Sequence, residues 1–155
     1  GRMPRIDEQR GIAQMQQQRI EAAASSHDVV VADTTAAMIA VYSRFVFGDC
    51  SLDARAAAEH AASVQHTLVT ALDLPWVADG LQREGEHVRG PIDMMLRELL
   101  AADFDARNAW AVSIAPDGVP QWRAQGEIHG APPADSPVQR LEDWFLGVLP
   151  IESQL

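Results

Sequence analysis

Three short apolar runs, rich in β-branched and aromatic residues, alternate with longer helix-like segments along this chain. The runs are Val29–Ala32, His66–Leu72 and Ala109–Ala115. Val29–Ala32 shows no polar alternation, as expected of a strand that is covered on both faces. Strands that alternate with helices predict an α/β fold, here with a parallel sheet of about three strands flanked by helices.

Helical patterns fill the intervals between these runs. Residues 4–26 are rich in Gln, Ala, Glu and Arg, and an Ala-rich segment that Ser51 can cap extends to about Ser63. Gly48 is placed to end the helix before it, and Pro91 lies at or just before the start of a later one. The apolar positions that give these two helices a buried stripe are Met38, Val41, Tyr42, Phe45, Ile92, Met95, Leu96, Leu99 and Leu100.

The composition changes after Ala115. Six of the nine prolines fall in residues 116–155, together with several glycines. We therefore predict one domain over residues 1–115 and an irregular Pro-rich extension over 116–155. Within the extension, residues 138–148 have the spacing of a short amphipathic helix, which either docks on the domain or binds a partner.

Charge and residue usage exclude several classes of function. The net charge of −10 argues against binding of nucleic acid through a basic face, and no apolar run approaches the length of a membrane span. The single cysteine, Cys50, fits a reducing compartment, so we expect a cytoplasmic protein. All 12 basic residues are arginines, so this sequence holds neither a Walker A lysine nor a Schiff-base lysine.

A polar segment dense in turn-forming residues follows the second apolar run. It extends from Asp73 to Arg89 and beyond, and it includes Trp76, Asp79 and Arg83. An aromatic ring can stack on a flat ligand, and arginine offers a planar fork that binds phosphate. The alternative is a surface loop whose Trp packs into the core and whose arginines pair with Glu84 and Glu86.

Asp33 comes directly after the first apolar run, where a carboxylate can hold Mg²⁺ directly or through water. The alternative role for Asp33 is the N-cap of the next helix, for which Thr34 and Thr35 are also candidates. In a parallel sheet, ligands bind beyond the carboxyl ends of the strands. Asp33 and Asp73 are therefore expected on one edge, in a shared site.

The sequence has no motif for a histidine metal site or for a serine nucleophile. The five histidines are scattered without the spacing of a metal site, and no Gly-x-Ser-x-Gly motif for a serine nucleophile occurs.

Four segments together resemble a known family. They are VVVADTTAAMIAVYS at 29–43, FGD at 47–49, LDLPWVADGLQR at 72–83 and HVRGP at 87–91. This pattern is similar to the nicotinamide riboside kinase domain of the NadR type, a branch of the P-loop kinase-like ATPases. The resemblance covers about residues 1–115, and the segment around Trp76 is its most specific part.

The resemblance implies ATP and Mg²⁺ as cofactors and a nucleoside substrate, nicotinamide riboside, phosphorylated to nicotinamide mononucleotide. It implies that Trp76 stacks on the nicotinamide ring, that Asp33 lies near Mg²⁺, and that Arg83 and Arg89 belong to a lid over the phosphates. It also implies that Asp79 and Asp73 contact the substrate.

The sequence departs from this family in three ways. The Gly-rich phosphate loop and its lysine are absent, Gly90 stands where an acidic residue is expected before Pro91, and the tail differs. We therefore expect the C-terminal portion of a longer kinase, or a truncated relative, inactive without that loop. The alternative is a degenerate, non-catalytic module that binds a nucleotide or nucleoside, or that pairs through open sheet edges as a homodimer or with the missing N-terminal segment.

Overall fold

The computed structural model describes residues 3–73, 85–105, 109–124, 127–129 and 139. The chain divides into a helical unit, residues 1–65 and 76–103, and a sheet unit, residues 66–75 and 104–155. Five α-helices and four β-strands lie in the described ranges. The α/β class predicted from the sequence is confirmed.

The helices begin and end close to the predicted positions. Short 3₁₀ turns at Ile6–Glu8 and Glu86–Val88 precede the first and fourth helices. The helices are α1 (Gln9–Ala24), α2 (Ala36–Phe47), α3 (Asp53–Ser63), α4 (Arg89–Leu99) and α5 (Ala101–Asp105).

Helix α2 is the centre of the helical unit, because α1, α3 and α4 all pack against it. Its buried positions are mainly small, with Ala40 and Val41 almost fully enclosed. One cluster of buried side chains joins α1, α2 and α3 and consists of Ala13, Ala36, Ala40, Leu52 and Ala56. Four alanines in this cluster allow the helices to approach closely, and Leu52 is its largest member.

Gly48 ends α2 as predicted, with the left-handed φ of 66° that glycine adopts without steric cost. The following turn is organised by Asp49, whose carboxylate accepts the Ser51 N–H at 2.9 Å and the Ser51 hydroxyl at 3.0 Å. The bond from the Ser51 backbone is the main reason that the pKa of Asp49 lies below its ordinary 3.8. Ser51 therefore donates hydrogen bonds to Asp49 and does not cap α3, whose N-cap position is occupied by Leu52.

The sheet is mixed, with strand order β1-β2-β3-β4. Its strands are β1 (Thr67–Thr70), β2 (Ala109–Ile114), β3 (Pro120–Ala124) and β4 (Glu127–His129). The pair β1 and β2 is parallel, with Leu68 opposite Trp110, whereas β3 and β4 add antiparallel. A purely parallel sheet was therefore the wrong prediction beyond the first pair. Trp110 is buried and packs against the partly buried Trp122 of β3.

Two segments of the stretch that we expected to be irregular are strands, namely β3 and β4. The turn before β3 contains Gly118, whose φ is 83°. The turn is held by the Val119 N–H, which donates to the Asp117 carboxylate at 3.1 Å, and by the Ala115 N–H, which donates to the Val119 carbonyl at 2.9 Å. A proline and an aspartate before a glycine here make a hairpin rather than a loose extension.

The strand predicted at Val29–Ala32 is wrong. These residues are exposed and lie outside every helix and strand. A β-branched run becomes a strand only where a neighbouring strand supplies hydrogen bonds, and the helical unit contains no described strand.

The amphipathic helix predicted at 138–148 lies outside the described residues except for Gln139, which is helical. Among the described residues, no helix has both the length and the apolar character that a membrane crossing requires.

Candidate functional site

Asp33 is an exposed residue in the bend that leads into α2. Thr35, with φ −121° and ψ 175°, occupies the N-cap position, so an N-cap role for Asp33 is wrong. Within the part of the chain that the structure describes, the Asp33 carboxylate has no hydrogen bond or ion pair. Its oxygens therefore face solvent and are available to a ligand.

The main chain beside Asp33 is held in place from two directions. The Gln16 side chain of α1 donates from Nε2 to the Thr34 carbonyl at 2.6 Å. The Thr35 carbonyl accepts the Met38 N–H at 3.1 Å and the Ile39 N–H at 3.4 Å at the start of α2. Asp33 is thus an open carboxylate on a positioned segment, which is the arrangement a binding site requires.

A buried polar cluster lies behind this segment and was not predicted from the sequence. The Thr35 hydroxyl makes no capping bond to α2 and instead lies 3.5 Å from His60 Nδ1. His60 Nε2 lies 3.6 Å from the Asp103 carboxylate. The side chains of His60 and Asp103 are 4% and 14% exposed. The cluster therefore links the start of α2 to α3 and α5.

Burial lowers the pKa of His60 below its ordinary 6.5, and the nearby Asp103 carboxylate opposes this effect only in part. At pH 7 the imidazole is therefore neutral, with one ring nitrogen available to donate and the other to accept. His60 acts here as a buried hydrogen-bonding group that orients Thr35, two residues from Asp33.

We expect the free energy of unfolding to decrease as the pH falls from 7 toward 5. A histidine with a lowered pKa in the folded state binds its proton more readily when unfolded, so its contribution is complete above about 6.5 and is lost below it. The contribution of Asp49 to the free energy of unfolding is lost only as the pH falls toward and below its ordinary pKa of 3.8, which lies below this window. Urea unfolding at several pH values, followed by circular dichroism, measures the change.

The variant His60→Gln should flatten this pH dependence, because it removes the buried titrating group. The matched control is His87→Gln, since His87 is exposed in the turn before α4. A slope unchanged in His60→Gln, or removed in His87→Gln, would contradict the assignment.

Asp73 belongs to the sheet unit and extends the pairing of β1 and β2. Its Oδ2 accepts the Ile114 N–H, and the Ala71 N–H donates to the Val112 carbonyl at 2.6 Å. Asp73 thus lies near the carboxyl ends of the two parallel strands, as predicted. Asp73 is exposed, and its Oδ1 has no protein partner among the described residues.

Of the other predicted site residues, the structure describes Arg89. Arg89 is the first residue of α4 and is half-buried. Trp76, Asp79 and Arg83 lie outside the described residues, so their roles stay predictions. Asp33 is in the helical unit and Asp73 in the sheet unit, and their shared site likewise stays a prediction.

A comparison with protein families matches residues 2–114 to the family described as an AAA domain. The chain belongs to the AAA domain family. The match covers most of the sequence and supports a P-loop nucleotide-binding type of domain, in agreement with the α/β fold. A search of curated proteins and a search of solved structures each found no match.

The described residues of this AAA domain offer an open carboxylate to a magnesium ion, that of Asp33. They contain no group of three His, Cys, Asp or Glu that could hold a metal alone. Mg²⁺, however, commonly uses one or two carboxylates together with water and substrate phosphates. The open carboxylate of Asp33 is a group of the kind that this mode uses.

Proposed function

We propose that this AAA domain is the substrate-binding and lid portion of an ATP-dependent kinase that phosphorylates nicotinamide riboside to nicotinamide mononucleotide. The family match over residues 2–114 carries the nucleotide-binding part of this proposal. The resemblance around Trp76 supports the substrate, and the open carboxylate of Asp33 supports a role for magnesium.

Each residue has a definite task in this proposal. Bound ATP with Mg²⁺ supplies the phosphoryl group and neutralises part of its charge. Trp76 stacks on the nicotinamide ring, while Asp79 and Asp73 accept hydrogen bonds from ribose hydroxyls. Arg83 and Arg89 close over the phosphates, and Asp33 would hold Mg²⁺, directly or through water.

The absence of lysine limits what these residues achieve alone. Phosphoryl transfer depends on positioning and on electrostatic stabilisation, and P-loop enzymes use a lysine and a cradle of backbone N–H groups for both. Neither the lysine nor the motif occurs in residues 1–155. We therefore propose that this chain recognises the substrate but does not transfer the phosphoryl group efficiently on its own.

Titration calorimetry with nicotinamide riboside tests the recognition. We expect Trp76→Ala to weaken the affinity by roughly tenfold, because stacking of a base on an aromatic side chain contributes about 1–3 kcal/mol. The variant Trp76→Phe preserves an aromatic surface and should retain most of the affinity.

A second titration, with ribose alone, serves as the control for ring recognition. Ribose should bind the original chain and Trp76→Ala equally weakly. Equal affinities of the original chain, Trp76→Ala and Trp76→Phe for nicotinamide riboside would reject the stacking role and, with it, the proposed substrate.

The complete lack of lysine favours a second candidate, a non-catalytic nucleoside-binding module of the same family. Both candidates bind nicotinamide riboside, but only the kinase portion requires ATP with Mg²⁺ to bind beside Asp33. Calorimetry with Mg²⁺ and ATP on the original chain and on Asp33→Asn distinguishes them.

A further inference from the structure

The hydroxyl of Thr35, at the N-cap position of α2, is not used in the way that is usual for this position. An N-cap threonine normally accepts a hydrogen bond from the second or third N–H of its helix. The described structure shows no such bond for Thr35, whose hydroxyl lies instead 3.5 Å from His60 Nδ1. Thr35, His60 and Asp103 all belong to the helical unit. The contact with the imidazole therefore takes the place of the capping bond.

The direction of the hydrogen bonds in this cluster follows from the chemistry of its three side chains. The Asp103 carboxylate, 3.6 Å from His60 Nε2, attracts a positive N–H and repels a lone pair. Neutral His60 therefore carries its proton on Nε2, which leaves Nδ1 as the acceptor for the Thr35 hydroxyl. Thr35 thus donates toward His60, and His60 donates toward Asp103.

A second proton on His60 disrupts this order at one end only. Both ring nitrogens of an imidazolium are donors, so Nδ1 no longer accepts the Thr35 hydroxyl. The hydroxyl hydrogen must rotate away and find another acceptor in a half-buried site, which costs free energy. At the other end, Nε2 and the Asp103 carboxylate become a pair of opposite charges and attract each other more strongly. Protonation therefore weakens the hold on Thr35 while the ring stays beside α5.

The charged groups near His60 decide which state the folded helices favour. Asp103 on α5 acts on the pKa of His60, but the effect of burial is larger and lowers it. From α2 the ring meets the uncharged Thr35, and Glu59, which precedes His60 in α3, pairs with Arg55 at 2.6 Å. The packed arrangement therefore favours the neutral ring, and any opening that hydrates the ring favours the proton.

The Asp33–Thr35 segment has two polar attachments, and only one of them titrates. Gln16 Nε2 donates to the Thr34 carbonyl at 2.6 Å, and the amide that makes this bond is uncharged at every ordinary pH. The second attachment is the Thr35 hydroxyl on His60. When it is lost, the Asp33 carboxylate has more positions available, so a ligand that needs one of them must overcome a larger loss of entropy.

We propose that His60 and Asp103 are positioning residues that hold the Asp33–Thr35 segment in its ligand-binding arrangement while His60 is neutral. The affinity for magnesium-bound ATP then falls as the pH decreases below the ordinary range of histidine. This regulation rests on the proposed function, because it concerns the magnesium contact of Asp33. Ligand and proton oppose each other, so bound ligand in turn lowers the pKa of His60.

Titration calorimetry of the complete chain with magnesium-bound ATP, at about pH 7.5 and about pH 5.5, tests the regulation. The fall in affinity between these values should be at least about fivefold larger for the original chain than for His60→Gln. Glutamine retains a hydrogen-bonding side chain but does not titrate, so the fall that both proteins share reports the protonation of the nucleotide itself. Circular dichroism at both pH values verifies that the helices stay folded.

Two further variants separate the cluster from other histidine effects. The variant Thr35→Val removes the hydroxyl at nearly constant volume, and its affinity should depend on pH no more than that of His60→Gln. The matched control is His27→Gln, a change at an exposed histidine of the same unit, which should keep the pH dependence of the original chain.

Nitrogen NMR of the ligand-free chain examines the cluster without any ligand. Neutral His60 should carry its proton on Nε2, and Asp103→Asn should lower the pKa of His60 further, because the carboxylate that raises it is neutralised. In the original chain, addition of magnesium-bound ATP should also lower this pKa.

Three results would overturn the regulation alone. They are a neutral His60 with its proton on Nδ1, an affinity that falls with pH as steeply in His60→Gln as in the original chain, and a pKa of His60 that bound ligand leaves unchanged. A failure of magnesium-bound ATP to bind at about pH 7.5 is a different outcome, since it would overturn the proposed function and the regulation with it.

Discussion

Purified chain incubated with ATP, Mg²⁺ and nicotinamide riboside should form nicotinamide mononucleotide at least about a thousandfold more slowly than a kinase with a complete phosphate-binding loop. A single oxyanion-stabilising donor is worth about a hundred- to a thousandfold in rate, and the missing loop provides several such donors together with a lysine. Chromatographic quantification of the product measures the rate.

The variant Asp33→Asn, purified in the same way, controls for a contaminating kinase. A contaminant produces the same small signal in both preparations, whereas turnover by the chain itself falls when the open carboxylate of Asp33 is neutralised. An ordinary kinase rate that depends on Asp33 would show that arginines replace the lysine, and the predicted inactivity would be wrong.

Substitution of Leu52 by alanine should lower the free energy of unfolding by about 2–5 kcal/mol. Leu52 is 5% exposed, and the other buried members of its cluster are alanines. Alanine side chains are too short to move into the vacated volume, and the partly buried Ile39 and Leu99 that pack against the cluster fill only part of it, so a cavity remains. Urea unfolding followed at 222 nm, where the helices dominate the signal, measures the loss.

The control for Leu52→Ala is Leu72→Ala, the same chemical change at a side chain that is 45% exposed. It should alter the free energy of unfolding by about 0.5 kcal/mol or less. Equal effects of the two substitutions would show that the alanine-rich cluster does not determine the stability of the helical unit.

The helices were predictable because their signals are local. The apolar spacing predicted that α2 is a helix, and Gly48 set its end. The predicted buried stripe was wrong in part, because Val41 is buried whereas Tyr42 is 47% exposed, and small residues such as Ala40 form most of the buried face. The strands β1 and β2 were recognised for a similar reason, as short apolar runs bounded by polar or turn residues.

The features that the sequence did not predict depend on distant partners or on overlooked turn chemistry. Val29–Ala32 has the composition of a strand, but no described strand lies beside it. The hairpin of β2 and β3 had a local signal, the sequence Pro-Asp-Gly at 116–118, but the many prolines of residues 116–155 favoured the prediction of an irregular extension. The pairing of His60 with Asp103 brings together residues far apart in sequence, so spacing could not reveal it.

The positions of the candidate site residues were likewise predicted only in part. Asp73 was placed correctly near the carboxyl ends of β1 and β2, whereas Asp33 follows no strand and lies in the bend before α2. The capping role considered for Asp33 was excluded by Thr35, because only the backbone angles distinguish neighbouring candidates for one helix start.

The bond between Gln16 and the Thr34 carbonyl joins an uncharged amide to the backbone. Ionic strength screens exposed ion pairs but leaves a neutral bond of this kind almost unaffected. The position of Asp33 should therefore be the same in dilute buffer and in high salt. Any salt dependence of ligand affinity then reports the contacts between charged groups of the ligand and the protein, and not a displacement of the site itself.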